Sequence, residues 1–299
     1  MSRTSFSLPV LLLAGLALAD PAIVQEVNAR LSRTDFAGAA NAIQSYRRAH
    51  GLDADVLEAM SWMARTELAR KNLDQAEKYA QETYQLSVAE SKKHPLNKDP
   101  NSPLALAAGA SIEVEANVMA LRGDRAGAVS YLRGELAKFQ ASSIQPRIQK
   151  NLNLLSLEGE PAPSLQGVML PAGKAALLFF WAHWCPDCKA EAAILQQLKS
   201  EFAPKGFVLI GPTQRYGYAA NGDDAPPAVE DRYIEEIRQR FYPGLIEGKL
   251  VINEQNFRVY GVSTTPTLVL VDRKGIVRMY HPGALPYAQL RAQILAALS

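Results

Sequence analysis

The chain has 299 residues, of which 48% are hydrophobic and 21% are charged, and its formal net charge is +2. This length suggests two domains, and the composition is that of a folded protein. The charge is close to balance and no basic stripe is present, so nucleic acid is not an expected partner. Two cysteines in a chain of this size exclude a fold stapled by a disulfide framework.

The chain begins with a segment typical of export. Arg3 precedes an apolar stretch from Leu8 to Ala19, which ends in small residues before Asp20. This pattern predicts a secretory signal peptide over residues 1–19, cleaved after Ala19, and therefore a periplasmic or otherwise exported protein. An uncleaved N-terminal membrane anchor is the alternative, although the apolar run is short for a membrane span.

Residues 20–158 are predicted to be helical, because apolar residues recur there at intervals of three and four. Stretches at 35–39, 72–76 and 124–128 each open a helix with Asp or Asn and place Ala four residues later. The first two lie 37 residues apart, and in this the segment resembles tetratricopeptide-like repeats. Such repeats usually offer a surface to a protein partner; an irregular helical bundle is nearly as well supported.

The sequence changes character after residue 158, where Gly and Pro break the helical pattern. Strands are expected at 175–181, 207–210, 250–252, 267–271 and 276–280, and helices at 189–198, 229–241 and 286–298. This alternation predicts a second domain over residues 159–299, with an α/β sheet and flanking helices.

The two cysteines lie where the first of these strands turns into a helix, in the sequence Cys185-Pro186-Asp187-Cys188. Two thiols with two intervening residues can close a small disulfide across a first helical turn. Pro186 suits the first helical position, which needs no N–H, and leaves Cys185 at an exposed cap. The free N–H groups of a helix start favour the thiolate, the attacking species in disulfide exchange. The spacing therefore predicts a redox dithiol.

The segment 180–189, Phe-Trp-Ala-His-Trp-Cys-Pro-Asp-Cys-Lys, resembles the active-site segment of the thioredoxin superfamily. The segment 261–267 resembles the loop in which that family places a cis-proline beside the dithiol. The resemblance covers residues 161–299 and implies a thioredoxin-like α/β domain with a central mixed sheet. It also implies that Cys185 attacks a substrate disulfide and that Cys188 resolves the mixed disulfide.

By the same resemblance, the Thr265-Pro266 peptide bond is expected to be cis, and the backbone of Thr265 to pair with an incoming peptide. Trp184 is expected to pack beside the dithiol and to form part of the substrate surface. The redox group is then the Cys185/Cys188 disulfide itself, and no other cofactor is expected.

Glu191 is the candidate proton acceptor. Cytosolic thioredoxins carry a buried aspartate where this chain has Phe179. Glu191 matches instead the carboxylate of the TlpA-like and cytochrome-c-maturation branch of the superfamily. It follows Cys188 by three residues, so a helix can place both on one face, where a partly desolvated carboxylate could take the Cys188 proton. The alternative is a solvated helix residue without a role.

Asp187 is the unusual member of the motif. A carboxylate beside the attacking sulfur repels the thiolate, so it should raise the pKa of Cys185 and make the pair more reducing. Pro186 and Asp187 are therefore the residues expected to tune the dithiol. Ordinary helix capping is the alternative for Asp187.

Two further features bear on the site. His183 stands beside the cysteines, but a structural zinc site needs four ligands and no other histidine has a matching spacing, so no metal is expected. The segment 214–227 is long and polar and contains two tyrosines. It either shapes the substrate groove or is a tolerated surface insertion.

These features predict an exported thiol-disulfide oxidoreductase that reduces protein disulfides and is recharged by a membrane or periplasmic thiol-disulfide donor. A thiol peroxidase is disfavoured, because that chemistry in this fold usually needs a threonine where Ala182 stands. The non-enzymatic alternative is a helical-repeat scaffold or adaptor with a redox-inert thioredoxin-like module.

Overall fold

The computed structural model describes residues 21–96, 99–246 and 250–299. The predicted signal peptide lies outside these ranges. The described chain begins with helices α1 (Ala22–Leu31), α2 (Phe36–His50), α3 (Ala54–Ala69), α4 (Leu73–Ser91), α5 (Pro103–Leu121), α6 (Arg125–Lys138) and α7 (Gln145–Ser156).

Two of the three predicted polar caps form side-chain hydrogen bonds, whereas Asn72, before α4, makes no such bond. Asp35 precedes α2, and its carboxylate accepts a hydrogen bond of 2.8 Å from the backbone N–H of Gly38. Asp124 precedes α6 and accepts an equivalent bond of 2.8 Å from Gly127. Each bond satisfies one N–H group that a helix start leaves without an intrahelical partner.

The alanines that follow the three polar helix starts are buried. Ala39, Ala76 and Ala128 are each 0% exposed. Helices α3, α4 and α5 pack against one another, and α5 also packs against α6. By length and composition α5 could cross a membrane, but 61% of its most apolar window is buried inside the protein, as in the core helix of a bundle. A tetratricopeptide-like superhelix stays a prediction.

After α7 the chain forms an α/β unit. Its strands are β1 (Ala175–Phe180), β2 (Phe207–Ile210), β3 (Pro212–Thr213), β4 (Val251–Ile252), β5 (Thr267–Val271) and β6 (Val277–Pro282). Its α-helices are α8 (Pro186–Phe202), α9 (Pro227–Phe241), α10 (Glu254–Tyr260) and α11 (Tyr287–Leu298). The sequence pattern missed α10, which is too short to show a helical period.

The main sheet is mixed, which confirms the expected fold class. Its strand order is β2-β1-β5-β6. β1 pairs parallel with β2 and antiparallel with β5, and β5 pairs antiparallel with β6. Every residue of β1 is buried, as expected for a central strand covered on both faces. The short strands β3 and β4 form a separate parallel pair.

Backbone and side-chain hydrogen bonds join the helical part to the α/β unit. Asn153 in α7 donates from Nδ2 to the carbonyl oxygen of Tyr260, at 2.9 Å. Just after α7, Glu158 accepts a hydrogen bond from the N–H of Tyr280 in β6, at 3.0 Å. The chain leaving α7 is thus held against β6 and against the end of α10. A domain boundary at residues 158 and 159 stays a prediction.

Gly261 marks the closest approach between the two parts. Its φ is +62°, and a Cβ at this position would lie 2.3 Å from the backbone nitrogen of Lys150 in α7. A side chain is therefore excluded by both the backbone conformation and the contact. Gly261 begins the loop that leads to Pro266, so this contact joins α7 to that loop.

We expect Gly261→Ala to lower the free energy of unfolding by more than about 1 kcal/mol, because alanine fits neither the positive φ nor the space. Gly275→Ala is the matched control. Gly275 also has a positive φ, of +82°, but a Cβ there would meet no described atom within 4 Å. Denaturant unfolding of both variants measures the difference. Equal losses would show that the contact with α7 contributes nothing.

Candidate active site

The two cysteines are joined by a disulfide at the start of α8. Cys185 is the N-cap residue, Pro186 occupies the first turn and Cys188 lies within that turn, with 5.4 Å between the two cysteine Cα atoms. The backbone N–H of Cys188 donates to Cys185 Sγ at 3.1 Å. A helix N-terminus therefore faces the sulfur of Cys185, as the sequence predicts.

The expectation of an exposed Cys185 is wrong. Its side chain is 1% exposed, and Cys188 is fully buried. The reason is a contact from a segment 80 residues away: the carbonyl oxygen of Thr265 lies 3.4 Å from Cys185 Sγ. A cap position is open in an isolated helix, but here the loop before β5 covers it.

Strand pairing explains why this loop reaches the dithiol. Phe180, the last residue of β1, pairs with Thr267, the first residue of β5. The chain segments beyond this pair, one leading to Cys185 and the other coming from Thr265, must therefore run side by side. The Thr265-Pro266 peptide bond is cis, as expected. Trp184, the residue before Cys185, is 44% exposed, so its side chain is open to a ligand.

Glu191 lies on α8, one turn after Cys188, and is 2% exposed. One carboxylate oxygen, Oε1, accepts a hydrogen bond of 3.0 Å from the N–H of Leu285. The other, Oε2, is buried and has no hydrogen-bond partner in the described part of the chain. The alternative of a solvated residue is therefore wrong.

Burial raises the pKa of Glu191 to about 7. That pKa of about 7 already includes a lowering by the hydrogen bond from Leu285 and a smaller rise from the negative charge of Asp187. Desolvation penalises the charged form of a carboxyl group, so this side chain can hold or release a proton near neutral pH. Asp187 itself is exposed in the first turn of α8.

A second buried carboxylate near the dithiol was missed by the sequence reading. Glu230 in α9 and His183 are each 1% exposed, with Glu230 Oε1 3.3 Å from His183 Nε2. Burial lowers the pKa of His183, with the hydrogen bond to Glu230 opposing that shift. The sequence could not reveal this pair, because the two residues are 47 positions apart and only the fold brings the start of α9 beside the cysteine motif.

Metal binding finds no support among the residues that the structure describes. Within them, no group of three or more His, Cys, Asp or Glu side chains is arranged to hold an ion. The carboxylate of Glu230 accepts hydrogen bonds from N–H groups instead.

Residues 168–298 match the family model of the thioredoxin-like domain. This part of the chain is a thioredoxin-like domain. Proteins of this family use a redox-active cysteine pair, and in this chain the two cysteines form the Cys185–Cys188 disulfide. The resemblance to the thioredoxin superfamily, which the cysteine motif and the proline loop indicated, is confirmed.

Known relatives match this chain over segments of similar length. The thioredoxin-like protein YneN of Bacillus subtilis is 28% identical over 144 residues, which cover 48% of this chain and 75% of that protein. The thiol:disulfide interchange protein DsbE of Escherichia coli is 30% identical over 125 residues, 42% of this chain and 58% of that protein. The match thus spans less than two thirds of DsbE.

Among solved structures, a crystal structure titled as a putative thiol:disulfide interchange protein DsbE from Chlorobium tepidum is 26% identical. The match covers 43% of this chain and 82% of that one, with a TM-score of 0.35. All three matches cover less than half of this chain.

We expect the raised pKa of Glu191 to appear in the pH dependence of stability. In the unfolded chain this carboxyl ionises near 4.5, whereas in the folded disulfide form it stays protonated to about pH 7. Stability of the wild type relative to Glu191→Gln should therefore fall as pH rises across that window, and be flat above it. Unfolding of both proteins by denaturant at several pH values measures this.

Glu201→Gln is the matched control on the same helix. Arg291 lowers the pKa of Glu201 by hydrogen bonding, so its contribution is lost only as pH falls below the unfolded value of 4.5. Curves for wild type and Glu191→Gln that run parallel between pH 4.5 and 7 would contradict the burial argument.

Proposed function

We propose that the protein is an exported thiol-disulfide oxidoreductase that reduces disulfides in protein substrates. The observation that carries the proposal is the disulfide at the N-terminus of α8, beside the cis Thr265-Pro266 bond, in a thioredoxin-like domain. Its relatives include a protein named for thiol:disulfide interchange. The family supports redox activity in general; the direction of electron flow and the clients are our proposal.

The reaction transfers two electrons and two protons from the dithiol to the client. The Cys185 thiolate attacks one sulfur of the client disulfide, forms a mixed disulfide and displaces one client thiolate, which takes up a proton. The Cys188 thiolate then attacks Cys185 Sγ, closes the internal disulfide and displaces the second client thiolate. Closure needs little motion, because a helical turn already places the two cysteines together.

Glu191 is the proposed acceptor for the Cys188 proton. Cys188 is fully buried, so water has poor access to its thiol. Glu191 lies one turn away with one unpartnered oxygen and a pKa of about 7, close to the pH at which a base must work. The same burial that destabilises the carboxylate makes it basic enough to accept a thiol proton.

The proposed client site combines Thr265, Pro266 and Trp184. Since the carbonyl oxygen of Thr265 lies 3.4 Å from Cys185 Sγ, a client strand that pairs with this loop is delivered to the attacking sulfur. The exposed indole of Trp184 provides apolar contact on the other side. The cover over Cys185 also limits attack by small thiols in solution.

Two tuning residues complete the proposed dithiol. Pro186 fixes the first turn of α8, and the charge of Asp187 disfavours the neighbouring thiolate of Cys185. A less stable Cys185 thiolate makes the reduced form of the protein less stable relative to the disulfide. We therefore propose that the Cys185/Cys188 pair has a reducing potential.

Export and partners follow from the same proposal. The predicted signal peptide over residues 1–19 would deliver the protein to the periplasm, and a reductase in an oxidising compartment must be recharged. We propose a membrane or periplasmic thiol-disulfide donor for this step. The helical domain, proposed to span residues 20–158, offers a second protein-binding surface, and the thioredoxin-like domain is proposed to span residues 159–299.

We expect Cys188→Ala to accumulate a mixed disulfide with a disulfide-containing peptide on Cys185, because the resolving thiol is missing. Non-denaturing preparation of the chain from residue 20, followed by mass spectrometry without reductant, measures the adduct. The double variant Cys185→Ala, Cys188→Ala is the control and should carry none. A reduced Cys188→Ala protein that forms no adduct would contradict the proposal and favour a redox-inert scaffold.

A further inference from the structure

The 214–227 segment is anchored at its start by Glu230. The carboxylate accepts hydrogen bonds from the backbone N–H groups of Tyr216, at 2.5 Å, and Gly217, at 2.9 Å. It also meets His183 Nε2 at 3.3 Å. A carboxylate can only accept, so the Nε2–H of His183 is the donor in this contact. Three N–H donors therefore satisfy this buried carboxylate.

An ion pair with α9 also holds this loop. Arg215 and Asp231 form a two-pronged ion pair, with nitrogen–oxygen distances of 2.6 and 2.7 Å. Tyr216 is thus flanked by anchors on both sides, and its backbone is fixed relative to α9. A tolerated surface insertion does not need such anchoring, so the structure favours a shaping role for this loop.

The anchored loop presents Tyr216 to the residue next to the dithiol. The rings of Tyr216 and Trp184 meet edge to face, with centroids 5.4 Å apart and an interplanar angle of 83°. The His183 ring also packs edge to face against the Tyr216 ring, with the ring centroids 5.5 Å apart. Edge-to-face contacts of this kind are favourable, and they orient the exposed indole. Trp184 is exposed and Tyr216 is half-buried, so parts of both rings reach the surface next to the cysteine motif.

We propose that Glu230 and His183 are positioning residues, which hold Tyr216 against Trp184 so that the two rings bind an apolar side chain next to the client's disulfide. The inference rests on the proposed function, whose substrate class it narrows. An apolar side chain gains contact with both rings as the client sulfur reaches Cys185. A client with glycine in that place gains nothing there.

The test uses three substrates for the reduced, full-length mature protein. Two are disulfide peptides that differ only by leucine or glycine beside one cysteine, and the third is hydroxyethyl disulfide. We expect kcat/KM of the wild type to favour the leucine peptide about fivefold, as partial burial of one side chain gives. Tyr216→Ala should abolish that preference, whereas Tyr216→Phe should keep it because the ring remains.

Glu230→Gln tests the positioning role. An amide cannot accept from all three donors, because its NH2 group would face one of them. We expect this variant to lose the leucine preference through KM, with the reduction potential of the dithiol unchanged. Glu235→Gln is the matched control, because Glu235 is another carboxylate of α9 but accepts hydrogen bonds from Arg238 and Gln239 and not from the loop. It should keep the preference.

The outcomes separate this inference from the proposed function. If the wild type reduces neither hydroxyethyl disulfide nor the peptides, the proposed function fails. If it reduces all three but Tyr216→Ala keeps the leucine preference, the ring site is wrong and the function stands. If Glu230→Gln does not fold, the pair Tyr216→Ala and Tyr216→Phe still decides. A preference lost equally in Glu235→Gln would assign the effect to a general disturbance of α9 and overturn the proposal.

Discussion

The pairing of β1 with β5 is the constraint on which the site depends. Its register places Phe180 opposite Thr267, so the segment entering α8 and the loop containing Pro266 leave the sheet side by side. The Thr265 carbonyl then meets Cys185 Sγ. Both faces of β1 are buried, in different hydrophobic cores, so a shift of one residue would exchange Phe179 and Phe180 between those cores and disturb the packing on both sides of the sheet.

Two buried carboxylates lie near the dithiol and differ in how they are satisfied. Glu230 accepts three N–H groups from two chain segments, which suits an anchor. Glu191 accepts one backbone N–H and keeps one oxygen without a described partner, which raises the energy of its charged form. The difference in hydrogen bonding, at nearly equal burial, distinguishes the positioning role proposed for Glu230 from the proton-transfer role proposed for Glu191.

Local patterns in the sequence were enough to predict the helix start at Pro186, the dithiol and the cis bond before Pro266. Each of these depends on a few neighbouring residues or on a family motif. The burial of Cys185 could not be predicted, because its cover comes from 80 residues away. The pairing of His183 with Glu230 was missed for the same reason. Alternating strands and helices predicted the mixed sheet only through the family resemblance, since periodicity does not distinguish parallel from antiparallel neighbours.

The helical part is in direct contact with the loop that carries the proline. α7 meets the backbone of Gly261, four residues before Thr265, and Asn153 binds the carbonyl oxygen of Tyr260. The helical part therefore supports the loop that carries Pro266 through direct contacts.

The most direct test of the account is the equilibrium of the Cys185/Cys188 pair with a series of glutathione redox buffers. The account predicts a reversible two-electron transition at a strongly reducing potential, shifted towards the reduced protein in Asp187→Asn, because the amide removes the charge beside Cys185 while keeping a capping oxygen. An oxidising potential, or one that Asp187→Asn leaves in place, would contradict the tuning argument. Failure to form the disulfide at all would contradict the central claim that this pair is a redox centre.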